Sequence, residues 1–323
     1  MRPLVASLAA ALLLPAPALA WIPDATSATR LERIAYRAHD GRWRPAWLVL
    51  PAGYRGEPIP LVISPHGRGV TALADALAWG ELPGEGDFAV VCPAGEGRRL
   101  HLYSWGAPGQ IADLARMPAI VRARGVRVDR RRIYAVGGSM GGQEVLLLVA
   151  RYPHLLAGAA VFDPATDMAR RYRDFAALPD GRFLQRLARE EIGGTPRTNP
   201  RGYAVRSPIR YAAEIARSGV PIELYWSTAD RIVADQRREA GLLARAIFRA
   251  DPDAELLDFR GDWRHSAEMR PFRRLPRALA RLGLLPWKLA FPDWRPRPTT
   301  GREWDVAAPV SPARASRRAR RAG

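Results

Sequence analysis

The chain has 323 residues, a formal net charge of +18, 48% hydrophobic residues and 25% charged ones. That balance belongs to a folded globular protein and excludes a disordered or fibrous one. The positive charge is nearly all arginine, Lys288 being the single lysine, and no nucleic-acid fingerprint accompanies it; it reads as a solvated basic surface suited to association with an anionic cell envelope, not to nucleic acid.

At the amino terminus Arg2 precedes an apolar run from Leu4 to Leu14, which Pro15 and Pro17 interrupt before Ala18-Leu19-Ala20. This is the pattern of a signal peptide over residues 1–20, cut to leave Trp21 first in an extracellular or periplasmic protein. The run is short for a membrane span, and no later segment is long and apolar enough for one. Two extended runs follow, Arg33 to Ala38 and Ala46 to Leu50, with His39-Asp40-Gly41-Arg42 between them as a hairpin turn. Apolar runs rich in β-branched residues then appear at Pro60 to Ser64, Phe88 to Val91 and Arg132 to Val136. Helical stretches, Ala72 to Trp79 and Gln110 to Arg124, separate them. A helix from Gln143 to Arg151 and strands at Gly158–Phe162, Pro221–Trp226 and Ala254–Phe259 continue the alternation. Short strands alternating with helices predict an α/β fold with a mostly parallel sheet and helices on both faces.

About fifty residues of helical and irregular sequence, 163–219, interrupt that alternation. Their place, after the strand that follows the Gln143 helix, makes them either a cap over a site or a helix pair on the side of the sheet. From Pro286 the chain turns to Pro, Arg and Trp with no apolar period, which predicts a largely disordered tail over 286–323. The single domain expected is therefore 21–285. Cys92 is the one cysteine, and within Phe88-Ala89-Val90-Val91-Cys92 it is expected to act as a small buried hydrophobe.

Chemistry concentrates at Gly137-Gly138-Ser139-Met140-Gly141-Gly142, which ends a predicted strand and opens a predicted helix. That is the context of a nucleophile elbow, whose sharp turn lifts the serine hydroxyl above the sheet and needs glycines two residues to either side. Partners follow in the order serine, acid, histidine. Asp230, in Ser227-Thr228-Ala229-Asp230, ends one strand's loop; His265, in Gly261-Asp262-Trp263-Arg264-His265, ends the next. Asp163 is the rival acid, because it also ends a strand. His39, His101 and His154 fit the order or the position less well. A neutral imidazole can take the serine's proton, and a carboxylate can hold the ring in the tautomer required. The His66-Gly67-Arg68 turn after the third strand supplies an oxyanion site from the backbone N–H groups of Arg68 and Met140, with His66 supporting the loop. Trp105 is a candidate for the substrate pocket, or else a core residue. No spacing among histidines and acids indicates a metal, and the chemistry needs no cofactor.

Val128-Asp129-Arg130 through Gly142, with Tyr152-Pro153, and Ser207-Pro208-Ile209 through Val233 resemble segments of the α/β-hydrolase superfamily. The resemblance is to its prolyl-oligopeptidase-like and secreted polyhydroxybutyrate-depolymerase-like esterase members, and it covers roughly residues 45–282. It implies the α/β-hydrolase fold, a Ser139–Asp230–His265 triad and an acyl-serine intermediate. The chain leaves no room for the amino-terminal propeller of the peptidase branch, and it lacks the cysteine pairs frequent in the esterase branch. Hydrolysis of a small carboxylic ester is the expectation. A peptidase on short peptides is the alternative, and acyl transfer or a non-catalytic binding role follows behind. The ester expectation rests on the absence of an evident anchor for a peptide in the insertion: Glu190-Glu191, the adjacent acidic pair there, reads as a solvated helix face.

Overall fold

The structure, a computed structural model, describes residues 28–97 and 101–291. The expected signal peptide, and the expected tail from residue 292 onward, lie outside the described residues.

Eight strands among these residues form one sheet: β1 (Thr29–Arg37), β2 (Trp43–Pro51), β3 (Ile59–Ile63), β4 (Ala89–Pro93), β5 (Val128–Gly138), β6 (Gly158–Phe162), β7 (Ile222–Ser227) and β8 (Leu256–Gly261). Their spatial order is β1-β2-β4-β3-β5-β6-β7-β8. The pairs from β4 across to β8 are parallel, while β1 and β2 join antiparallel through the expected hairpin, where Gly41 takes φ +79°. Eleven α-helices accompany them: α1 (Ala72–Leu77), α2 (Leu82–Gly86), α3 (Pro108–Arg122), α4 (Met140–Arg151), α5 (Met168–Asp174), α6 (Gly181–Ile192), α7 (Pro200–Ala204), α8 (Ala212–Ala216), α9 (Ala240–Ala250), α10 (Leu275–Arg281) and α11 (Trp287–Ala290).

Side chains alternate across a strand, so a continuous apolar run supplies two buried faces at once. Leu61, Ile63, Val91, Ala135 and Val161 point to the core shared with α3, α4, α8 and α9. Val62, Val90, Val136 and Ala160 point to the opposite core, shared with α1, α2, α10 and α11. Cys92 lies in that second core, fully buried. Burial pushes its thiol well above the usual range, and with it goes the thiolate character that reactivity needs. Among the described residues no helix is long and apolar enough to cross a membrane.

Three boundaries differ from expectation for physical reasons. Strand β8 begins two residues later than Ala254, because as the edge strand it leaves Leu257 41% exposed and its apolar run is correspondingly short. Helix α9 was not among the expected elements; its buried Leu243, Ala244 and Ile247 fit one helical face. The domain also runs past residue 285. Ala290 is buried, and Trp287 and Phe291 stack at 4.2 Å against the α10 side of the core.

The insertion divides into two parts. Its first part, α5 to α7, brings Met168, Phe175, Leu184, Leu187, Ile192 and Tyr203 onto Trp105 and Met140 in a third apolar cluster at the carboxyl edge of the sheet. Its last helix, α8, joins the core beside α4 and α9.

Candidate active site

Parallel strands deliver their following loops to one edge, and ligands of such sheets gather there. At this edge Ser139 closes the turn between β5 and α4 with φ 57° and ψ −120°, a conformation that disfavours any side chain. The surrounding structure enforces it: the Ser139 N–H donates to the Phe162 carbonyl at 2.8 Å, and the Gln143 N–H returns to the Ser139 carbonyl at 3.0 Å. The flanking glycines are required by contact. A Cβ on Gly137 would lie 2.6 Å from the Gly141 carbonyl carbon, and one on Gly141 would lie 2.0 Å from the Pro65 carbonyl oxygen.

That second contact locates the loop after β3 against the start of α4. Within it His66 is buried; its Nδ1 lies 2.9 Å from the Gly67 carbonyl, and its Nε2 accepts the Gly95 N–H at 2.9 Å. An accepting Nε2 leaves the proton on Nδ1, so the ring is a neutral brace between two loops, as expected of it. The Gly69 N–H is bonded to the Leu102 carbonyl. Among the described residues no backbone carbonyl takes the N–H of Arg68 or of Met140, the two groups expected to face an oxyanion.

The structure brings Asp230 and His265 together from the loops after β7 and β8. Asp230 Oδ2 lies 2.7 Å from His265 Nδ1 and also accepts from Gln236 Nε2 at 3.2 Å. Its Oδ1 accepts the N–H groups of Ile232 and Val233 at 2.8 and 3.0 Å. A carboxylate so held fixes the Nδ1–H tautomer and leaves Nε2 as the free base. The His265 loop reaches the elbow: Ser266 Oγ and Met269 Sδ would each be 3.1 Å from a Cβ on Gly138, the residue before Ser139.

Asp163 is not the partner of the histidine; it is a clamp behind the pair. Fully buried and with φ +47°, it accepts the Ser227 N–H on Oδ1 at 2.8 Å. Its Oδ2 accepts the Trp263 indole N–H at 2.9 Å and the Ser266 N–H at 2.8 Å, one residue on each side of the Arg264–His265 pair. Burial, and secondarily the charge of Asp230, push its carboxyl up to about 6.

Trp105 is 2% exposed, and its N–H reaches Met140 Sδ at 3.3 Å. Its loop is tied to the elbow helix by buried Glu144, which accepts from Ser104 Oγ at 2.5 Å and the Gly106 N–H at 3.2 Å. Trp105 therefore walls the apolar cluster behind Met140. Glu239 does similar work for the insertion, accepting from the Thr166 N–H, the Thr166 hydroxyl and the Asp167 N–H at 2.7 to 2.8 Å; burial pushes its carboxyl to about 7.

The insertion also carries Arg171, which sequence reasoning did not single out. It is 3% exposed, lies over the Phe175 ring at 4.9 Å, and donates from Nη2 to the Ile232 carbonyl in the Asp230 loop. The expected solvated pair Glu190-Glu191 is divided by the helix: Glu190 is exposed and Glu191 is buried on the side where its charge reaches Arg206. Neighbouring helical residues point about 100° apart, so the two carboxylates leave the helix in different directions.

Two clusters bring titratable groups within metal-ligand distance of one another, Asp163–Asp230–His265 and His39–Glu96–Asp113. The second gathers one of the histidines that looked dispersed in the sequence. Arginines already stand there, with Arg44 Nε 3.4 Å from Glu96 and Arg116 Nη1 2.6 Å from Asp113, and burial pushes Glu96 up to about 9. A protonated glutamate among guanidinium groups is a poor cation ligand.

The model of the prolyl oligopeptidase family, peptidase family S9, matches residues 95–274, more than half of the chain and the stretch that holds Ser139, Asp230 and His265. The chain belongs to the prolyl oligopeptidase family. It has the α/β-hydrolase fold of its solved neighbours. No curated protein sequence matches it. Among solved structures it is similar to dipeptidyl peptidase 4 of Porphyromonas gingivalis, at 18% identity and TM-score 0.61, over 79% of this chain and 35% of that one. It is similar also to acylaminoacyl peptidase of Pyrococcus horikoshii, at 15% identity and TM-score 0.59, over 86% of this chain and 44% of that one. Prolyl oligopeptidase B of Galerina marginata aligns at 12% identity and TM-score 0.56, over 74% and 33%. The family member described here thus spans less than half the length of these relatives.

Proposed function

We propose that this protein is a serine peptidase acting on short peptides, with Ser139 as nucleophile, His265 as general base and then acid, and Asp230 as the orienting carboxylate. The Ser139 hydroxyl attacks the scissile carbonyl while His265 Nε2 takes its proton. The oxyanion that forms is met by the N–H groups of Arg68 and Met140, and His265 returns the proton to the departing amine. Water repeats the sequence on the acyl-enzyme.

The observation that carries the choice of peptide over ester is Arg171. An ester expels an alcohol that needs little help, whereas an amide must be held while its amine is protonated in line. A peptidase therefore wants an anchor for the rest of the peptide, and the expectation of ester hydrolysis rested on finding none. Arg171 supplies a buried guanidinium in the insertion, beside the Asp230 loop. Family membership, and solved relatives that are themselves named as peptidases, support the same reading.

A library of short peptide anilides distinguishes the two. The best member is expected to reach the ordinary enzymatic range, on the order of 10⁴ M⁻¹s⁻¹ in kcat/KM. Turnover of short-chain aryl esters with no measurable cleavage of any peptide would restore the carboxylic-ester hydrolase.

A further inference from the structure

Arg171 feels the charges of Glu239, Asp174 and Asp230, but only one edge of its guanidinium is met by a hydrogen bond. The whole residue is 3% exposed, and its Nη1 has no hydrogen-bond partner among the described residues, although the Nη2 beside it is satisfied by the Ile232 carbonyl. A buried guanidinium is stabilised when both edges of its planar fork are met, and an unmet donor out of water is costly. The Phe175 face beneath it compensates only in part.

The surroundings sharpen the point. Ile232, which holds one edge of the fork, also donates its N–H to Asp230 Oδ1 at 2.8 Å, so the guanidinium lies one residue's reach from the acid of the site. Phe175 leads through Trp105, 5.8 Å away ring to ring, to Met140, the neighbour of Ser139. Arg68, of the expected oxyanion loop, is near enough for its charge to act on Arg171; its only ion pair among the described residues is a long one, 3.5 Å to the half-exposed Asp180. Burial, and next to it repulsion from Arg68, lower the Arg171 guanidinium to about 10, so it stays charged at neutral pH. Two guanidinium groups near enough to repel one another, one of them with an unmet donor, are arranged for an anion. A carboxylate matches that description, since it accepts two parallel N–H bonds from one guanidinium.

We propose that Arg171 is a specificity-determining residue that binds a carboxylate of the substrate close to the scissile bond. The proposal deepens the peptidase reading and rests on it. In a short peptide the carboxylate has two sources: an acidic side chain next to the scissile bond, or the free carboxyl terminus.

Matched fluorogenic peptides separate these sources, one pair differing as glutamate against glutamine beside the scissile bond, the other as free acid against amide at the carboxyl terminus. In one of the two pairs the carboxylate member is expected to have at least about tenfold higher kcat/KM, chiefly through KM, as an interaction made in both ground and transition states requires. Arg171→Met is expected to erase that preference, and Arg171→Lys to keep part of it. Equal rates within both pairs, or a preference that survives in Arg171→Met, would overturn the proposal while leaving peptide hydrolysis standing. Because a buried arginine variant can fail to fold, the wild-type protein gives a second reading: N-acetylglutamate should slow its labelling by a fluorophosphonate probe more than N-acetylglutamine amide, which carries no carboxylate, does. Equal protection by the two compounds also overturns the proposal. Selective protection by the glutamate compound in a protein that cuts no peptide would support the carboxylate site and remove the peptidase reading instead.

Discussion

Replacing Ser139 by alanine should lower kcat/KM by a factor on the order of 10⁴ or more while the protein still folds. The nucleophile carries the covalent step, and what survives its loss is only the rate that binding and the oxyanion site can supply. Folding should be spared because the hydroxyl takes no part in the hydrogen bonds that shape the turn, which run through the Ser139 backbone N–H and carbonyl. A finer expectation separates strain from chemistry. With φ at 57° and ψ at −120°, a side chain at 139 strains the backbone that glycine would relieve. Ser139→Gly should therefore be as inactive as Ser139→Ala yet more stable in urea unfolding, by about 1 kcal/mol. Equal stability of the two variants would argue against a strained elbow, and undiminished turnover in either would remove Ser139 from the mechanism.

The two buried aspartates should part company just as sharply. Asp230→Asn leaves the site's shape but presents an amide to His265 Nδ1, which disturbs the tautomer that frees Nε2; a fall of about 10³ to 10⁴ in kcat is expected. Asp163→Asn touches no reacting group. It cannot accept on both sides, so it loosens either Ser227 or the Trp263 and Ser266 pair, and a loss of about tenfold should follow. The larger mark of Asp163 is in stability against pH. Its carboxyl is raised to about 6 in the folded protein, above the ordinary aspartate value near 4. Between those values the native state holds the proton more tightly than the unfolded chain. Its contribution is therefore fully present below about pH 4 and is lost as pH rises through 6. Asparagine does not titrate. Measured from pH 4 to pH 7, Asp163→Asn should gain on the wild type by up to roughly 3 kcal/mol. A wild type that gains on the variant over the same range would contradict the assignment, as would the larger loss of activity at 163 than at 230.

The sheet was readable because each central strand is buried on both faces, so its apolar run is unbroken and short. Where one face meets water, as at Leu257 in β8, the run blurs and the boundary moved by two residues. The elbow was readable for a different reason: Gly137 and Gly141 are demanded by backbone contacts under 3 Å, which leaves a mark in residue type. The choice between Asp163 and Asp230 left no such mark. Both end parallel strands at the same edge, and only the 2.7 Å contact to His265 separates the acid proposed to orient the ring from the clamp behind it. Arg171 was hidden by number. One arginine among 49 does not announce that it is buried, because burial follows from how α5 settles on Trp105 and the Asp230 loop, a matter of tertiary packing. The fold's end was missed because Trp287 and Phe291 anchor to α10 with two aromatic side chains and no helical period.

If this protein breaks peptide bonds through an acyl group carried on Ser139, stopping the turnover part-way should trap that group on the serine. Wild-type protein mixed with the best cleaved peptide, quenched in acid within the first turnover and digested, should yield the peptide containing Ser139 with the mass of the acyl half of the substrate added. The adduct should be missing from Ser139→Ala treated in the same way. Peptide cleaved by the wild type at full rate with that acyl mass on a residue other than Ser139 would contradict the account.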